Sequence, residues 1–229
     1  MSLKAMVFID GGWLYRNRNA LFSRLNQESG FEIDYQELPR VFVEDVANYL
    51  DEDISLVRTL YFGTIPSPRT GFNVGKQNAF YDFLEKSCGY ETSIHEVEVG
   101  CDENWVKMSL ASALLFYAAQ VNAYDLAIVI GDDIDYAQPI RTARLFGKRI
   151  QVVGVHQADG SLPPQGQSLF WKSRVNDFPP LYMDDHASEV RLVRARKTRI
   201  CKQCGTEEET TWAGPDFFCS SCRGKYRSN

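Results

Sequence analysis

Apolar residues in this chain fall into short closed runs separated by longer stretches with three- and four-residue spacing. Lys4–Ile9 (KAMVFI), Tyr124–Ile130 (YDLAIVI) and Arg149–Val155 (RIQVVGV) are almost continuously apolar. Continuity, rather than alternation, predicts strands buried on both faces, as in a parallel sheet. Ser55–Thr64 reads as a further strand, and Ile65-Pro66-Ser67-Pro68 ends it, because proline supplies no ladder donor. Tyr90–Val99 alternates and predicts a less buried strand. Helices are expected from Gly11 to about Asn26, over Tyr35–Leu50, Val74–Lys86, Asn104–Val121 and Ile134–Phe146. In Tyr35–Leu50 the residues Leu38, Phe42, Val46 and Leu50 recur every fourth position, and Gly147 terminates the helix before it. Strands alternating with helices predict an α/β fold whose mainly parallel sheet is covered on both faces.

The pattern changes after residue 160. Four prolines lie between residues 160 and 180, around a short expected helix at Gly166–Arg174. We therefore expect an α/β domain over 1–180, a basic linker over 181–199 and a small module over 200–229. Composition agrees with a folded body: 44% hydrophobic and 13% aromatic residues exclude a disordered chain. No apolar run approaches the ~20 residues of a membrane-spanning helix. The first apolar run stops at Asp10, which is unlike a secretory leader, so a cytoplasmic protein without a membrane partner is expected. The net charge of −5 is unevenly spread: residues 191–229 carry +5 and the rest −10. A basic tail on an acidic body predicts either contact with a polyanion or simple solvation of a linker.

Ligands of open α/β sheets bind at the carboxyl ends of the strands. Asp10 follows the first strand, and Asp132, Asp133 and Asp135 follow YDLAIVI. If those strands are neighbours, the carboxylates converge. Several carboxylates held together repel one another unless protons or a cation intervene. Hard oxygen ligands favour Mg²⁺ or Mn²⁺, which activates water and stabilises charge on a phosphodiester. The plainer alternative is that these residues are helix caps and turns, and for Asp132 it is the preferred one.

FIDGGWLY (8–15), DLAIVIGDDIDY (125–136) and IRTARLFGKRIQVVG (140–154) resemble the NYN domain, a group of the PIN-like nuclease superfamily that includes LabA-like proteins. The stretch from Ser168-Leu169 to Asp177-Phe178 looks like that family's closing segment. The resemblance spans about residues 4–180. It implies a PIN-like, Rossmann-like sheet in which Asp10, Asp133 and Asp135 hold Mg²⁺ or Mn²⁺ and carry hydrolysis of single-stranded RNA. Three positions depart from the family pattern. Trp13 replaces a polar residue, Lys107 occupies an aspartate position and Ala113 a further acidic one. A lysine there competes with a metal for the same carboxylates. The rival expectation is therefore a catalytically impaired module that binds RNA or protein in a regulatory role. A phosphoryl-transfer site of TOPRIM type is disfavoured, since neither a glutamate nor an Asp-x-Asp follows the first strand.

Cys201-x2-Cys204 and Cys219-x2-Cys222, fourteen residues apart, have the spacing of a four-thiolate Zn²⁺ site of zinc-ribbon type. So small a segment cannot build a sufficient core, so metal must supply much of its folding free energy. A redox dithiol pair and an iron–sulfur site are the alternatives. Arg194, Arg196, Lys197, Arg199 and Lys202 surround this module, with Trp212, Phe217, Phe218 and Tyr226 interleaved. Basic groups neutralise phosphates and aromatic rings stack on bases, which predicts RNA contact. A homodimer or protein partner held through the ribbon is the competing expectation. His95, His156 and His186 lack ligand spacing, and Cys88 and Cys101 read as ordinary thiols.

Overall fold

A computed structural model of the chain describes residues 2–24, 32–67, 73–98, 104–172, 175–192, 197–210 and 216–226. The chain packs as two compact units, 1–191 and 192–229. In the first unit the strands are β1 (Leu3–Asp10), β2 (Ile54–Pro66), β3 (Glu91–Val97), β4 (Leu126–Ile130), β5 (Arg149–Gly154) and β6 (Leu181–Tyr182). The helices are α1 (Gly11–Arg24), α2 (Leu38–Leu50), α3 (Gly75–Lys86), α4 (Asn104–Ala119) and α5 (Ala137–Leu145). The sheet order is β3-β2-β1-β4-β5-β6 and every pair is parallel. The winding reverses between β1 and β4, and it is at the carboxyl ends of such a pair that open α/β sheets bind their ligands.

Strand parity divides the core. Ala5, Val7 and Ile9 of β1 pack with Leu14, Leu21, Phe42, Val46 and Leu84 from α1–α3. Met6 and Phe8 pack with Val106, Leu110, Leu114, Ile140 and Ala143 from α4 and α5. β1 and β4 are buried on both sides, as their continuous apolarity predicts, whereas the alternating β3 forms an edge.

The expected linker over 181–199 is corrected at both ends, since residues 181–191 belong to the first unit and Lys197–Ile200 form strand β7. Asp34 N–H bonds Val190 O at 2.8 Å, and Ile33 bridges Arg191. β6 has two residues, too few to leave a periodic signal. Upstream of it, side chains replace the missing strand partner. Asn176 Oδ1 accepts Val152 N–H, and Asp177 Oδ2 accepts Ile150 N–H, both at 2.8 Å. The expected helix at 166–174 is a single 3₁₀ turn, Leu169–Trp171, with residues 173–174 outside those described. The helix expected from Ile134 starts as a 3₁₀ turn over Ile134–Tyr136 before α5.

Gly11 is required by packing. A Cβ there would lie 2.4 Å from the ring and hydroxyl of buried Tyr61. We expect Gly11→Ala to cost about 1–3 kcal/mol in urea unfolding. Gly166→Ala, where a Cβ meets nothing within 4 Å, is the near-neutral control.

Candidate functional site

Because β1 and β4 are paired, Ile9 lies opposite Ile130, and Asp10 and the Gly131–Asp135 turn emerge together. Gly131 lets them approach. Its φ is +153°, and a Cβ there would sit 3.1 Å from Asp10 Cβ. Asp10 has the parity of Met6 and Phe8 and so points to the α4–α5 face. Its Oδ1 accepts Trp13 N–H at 2.8 Å and its Oδ2 accepts the Tyr136 hydroxyl at 2.6 Å. Burial raises the Asp10 carboxyl above its usual range, against the opposing effect of those two donors. Asp10 is thus both the turn acceptor at the start of α1 and the anchor of Tyr136.

Asp133 and Asp135 share a different partner. Lys107, from the first turn of α4, places its Nζ 2.8 Å from Asp133 Oδ2 and 2.7 Å from Asp135 Oδ2. The other Asp133 oxygen accepts Asp135 N–H at 3.0 Å, so the two acids are held in one turn. Burial works against the Lys107 ammonium, but its bonds to Asp133 and Asp135 prevail and raise its pKa. Asp133 and Lys107 are mostly enclosed, at 16% and 22% side-chain exposure, while Asp135 is open at 60%.

Asp132 is buried and faces elsewhere. Its Oδ1 accepts Leu169 N–H at 2.6 Å, tying the 3₁₀ turn at 169–171 to the end of β4. Its Oδ2 makes no hydrogen bond of good geometry. Burial pushes this carboxyl up to about 6, only partly offset by the polar groups of Ser168, Leu169 and Phe170. The expectation that Asp132 caps the next helix is corrected: Asp133 caps the turn at Ile134–Tyr136, and Asp132 instead ties down a turn 37 residues away.

Among the described residues, two groups of three or more acid, histidine or cysteine donors lie within 4.8 Å of one another. One is the four cysteines; the other is His156 with Asp184 and Asp185. Asp10, Asp133 and Asp135 do not form such a group. Their chemistry nonetheless suits a hard cation, because two of these carboxylates already converge on one, the Lys107 ammonium. His156 uses its backbone N–H and Nδ1 to bind the two oxygens of buried Asp184, at 3.0 and 2.9 Å, and stacks on Tyr182 at 3.7 Å. That cluster was not legible beforehand, as 28 residues separate its members. Ala113 lines an open groove of about 650 Å³ between α4 and the β2–β3 edge, together with Trp105, His95 and Phe116.

In the second unit, β7 (Lys197–Ile200) pairs antiparallel with β8 (Glu207–Thr210), and α6 (Ser220–Tyr226) follows. Cys201 N–H bonds Thr206 O, Gly205 N–H bonds Cys201 O, and Gly205 takes φ +71° to close the first knuckle. Cys201, Cys204, Cys219 and Cys222 converge, with Cys204 Sγ 3.5 Å from Cys219 Sγ. Thiolates at ~2.3 Å from one zinc ion would stand about 3.8 Å apart, so the set fits Zn²⁺. Backbone N–H groups, Cys219's foremost, lower the Cys201 thiol to about 6, while the neighbouring Cys204 and Cys219 push the Cys222 thiol up. Cys201, Cys219 and Cys222 also pack with Phe217 and Phe218 as a small core among the described residues. The basic residues are partly spent inside the unit. Arg199 lies opposite Glu208 in the hairpin, and Lys202 pairs with Asp216 at 2.7 Å. Lys197 is exposed, and Arg194, Arg196 and Trp212 lie outside the described residues.

The sequence pattern of the NYN domain matches residues 4–165. The chain belongs to the NYN domain family, and with it to the PIN-like nuclease superfamily. A crystallised protein of unknown function from Vibrio parahaemolyticus shares the fold, with TM-score 0.56 and 16% identity over 83% of this chain and 97% of that one. A nicotinamidase from Staphylococcus aureus, at TM-score 0.23 and 13% identity over 70% of this chain and 83% of its own, is too distant to inform the reading. No curated protein matches the chain. No helix among the described residues is long and apolar enough to cross a membrane.

Two outcomes test this description. The raised Asp132 pKa means the folded state binds a proton that the unfolded state releases between pH 4 and 6. Asp132 therefore costs stability above pH 6, and that cost vanishes as pH falls below 4. Relative to Asp132→Asn, the wild type should gain stability on acidification from pH 7 to 4, by at most about 3 kcal/mol, in urea unfolding followed against pH. Second, the chain should carry one Zn²⁺. Its removal by chelator, or Cys219→Ser, should cost the 192–229 unit its dispersed amide signals.

Proposed function

We propose that this protein is a metal-dependent endoribonuclease acting on phosphodiesters of single-stranded RNA, in a cytoplasmic setting where its thiols stay reduced. The observation that carries the reading is that Asp10 and the Asp133–Asp135 turn leave adjacent strands at the same end of the sheet, at the point where its winding reverses. Family membership supports the same chemistry. Asp10, Asp133 and Asp135 would hold Mg²⁺ or Mn²⁺. Bound there, such an ion supplies Lewis-acid activation of water and stabilises charge on the phosphodiester.

The chain's own groups prepare the site. Trp13 N–H and the Tyr136 hydroxyl fix the Asp10 carboxylate from two sides. The Asp135 N–H occupies one Asp133 oxygen and leaves the other for a cation. Asp135, the most exposed of the three, stands where a substrate strand would arrive. The zinc-holding unit would add affinity through Lys197, Arg199 and Lys202 with Arg194 and Arg196, each phosphate contact making binding more salt-dependent.

A second reading, an NYN module that binds RNA or protein without turnover, is favoured by Lys107, whose ammonium already pairs with both Asp133 and Asp135. A labelled single-stranded RNA incubated with Mg²⁺ or Mn²⁺ separates the two. Wild type should cleave and Asp133→Asn should lose at least 100-fold in rate, on the order expected when electrostatic stabilisation is removed. Retained binding without cleavage by either protein would establish the second reading. Equal cleavage by both would remove Asp133 from the site.

A further inference from the structure

We propose that Lys107 is a tethered cation filling the seat between Asp133 and Asp135, so that its ion pairs and divalent-ion binding at this end of the sheet exclude one another. The inference rests on the reading above that these carboxylates form a cation site. Its support is geometric. Lys107 comes from α4, a different element from the turn that carries both acids, and its Nζ is within 2.8 Å of one oxygen from each. A Mg²⁺ ion bridging those two oxygens, as the ammonium does, would sit ~2.0–2.1 Å from each and so in the ammonium's place. The ammonium and the ion cannot both occupy that space, and they repel.

Charge explains why the seat needs a cation, whichever one holds it. Asp133 and Asp135 stand close enough to hold one ammonium between them, and the Asp133 charge is also felt at Asp10 and Asp132. Without a cation the Asp133 and Asp135 carboxylates would face each other in a partly enclosed turn, with the buried Asp10 and Asp132 near enough to feel the Asp133 charge, which is unfavourable unless some are protonated. Lysine suits a replaceable occupant. It is a compact charge on a flexible four-carbon stem, so it can leave without moving α4. Asp135 is open to solvent, so the Lys107–Asp135 bond is the one that yields first. The apparent metal affinity is then the intrinsic affinity reduced by the fraction of molecules whose lysine has swung out.

The test is Mn²⁺ titration of the full chain with its cysteine site kept loaded with zinc, read by electron paramagnetic resonance of free Mn²⁺. It is paired with the melting temperature in chelator-treated buffer and in excess Mg²⁺. Lys107→Ala and Lys107→Met should bind Mn²⁺ at least about tenfold more tightly than wild type. Both should melt lower than wild type without divalent ions and recover with Mg²⁺. Met keeps the packing of the stem, so it covers the case in which Ala fails to fold. Lys107→Arg, which keeps the charge, should resemble wild type. Adding Asp133→Asn to Lys107→Met should abolish the gain. Equal Mn²⁺ affinity in wild type and both neutral variants overturns the inference. So does no binding in any of them, which would also remove the cation-site reading. Tighter binding in the neutral variants with no RNA cleavage by any protein upholds the inference and sinks the endoribonuclease reading alone.

Discussion

The whole arrangement depends on β1 being paired on both sides, with β2 and β4, and buried on both faces. A central parallel strand has one direction and a strict side-chain parity. Parity sends Ala5, Val7 and Ile9 towards α1–α3, and Met6 and Phe8 towards α4–α5. Asp10 inherits the second direction. It therefore meets Tyr136 and shares a crevice with the turn that Lys107 of α4 neutralises. A shift of one residue in β1 would turn the carboxylate to the opposite face and dissolve the site.

Four carboxylates at one end of a sheet pose an electrostatic problem that this chain solves separately for each. Asp10 receives two hydrogen-bond donors. Asp133 and Asp135 receive a lysine. Asp132 takes one backbone donor and is left with a raised pKa. Buried charge is tolerated only when paired or hydrogen-bonded, and the residual strain collects where neither is complete. That makes Asp132 the costly member and Lys107 the decisive one. A nuclease fold keeps or loses its chemistry at such a site according to which cation the carboxylates hold, and fold alone does not choose.

The cysteine unit follows a different rule. Its core among the described residues is three buried cysteines and Phe217, with Phe218 against them, so apolar burial is small and a metal held by the four thiolates would supply the missing folding free energy. Its basic strand β7 faces the acidic strand β8, which satisfies part of the charge that the tail's composition displays. The charge available to a polyanion is smaller than a count of lysines and arginines implies.

Continuous apolar runs were enough to place β1, β4 and β5 in a parallel sheet, because only strands covered on both faces can lack alternation. The cysteine spacing was likewise sufficient, since two CxxC knuckles carry their ligand geometry locally. The Asp10 and Asp133–Asp135 candidates were legible because strand ends mark ligand crevices. Residues joined only through space were not. Nothing local pairs His156 with Asp184, assigns Asp132 to the 169–171 turn or makes the two-residue β6 a strand. Lys107 lies between these cases. Its position in the chain marked it as a competitor for the acids. Only the packing of α4 against β1, β2 and β3 and beside the 134–136 turn, which fixes where a four-carbon stem can reach, set its ammonium between Asp133 and Asp135.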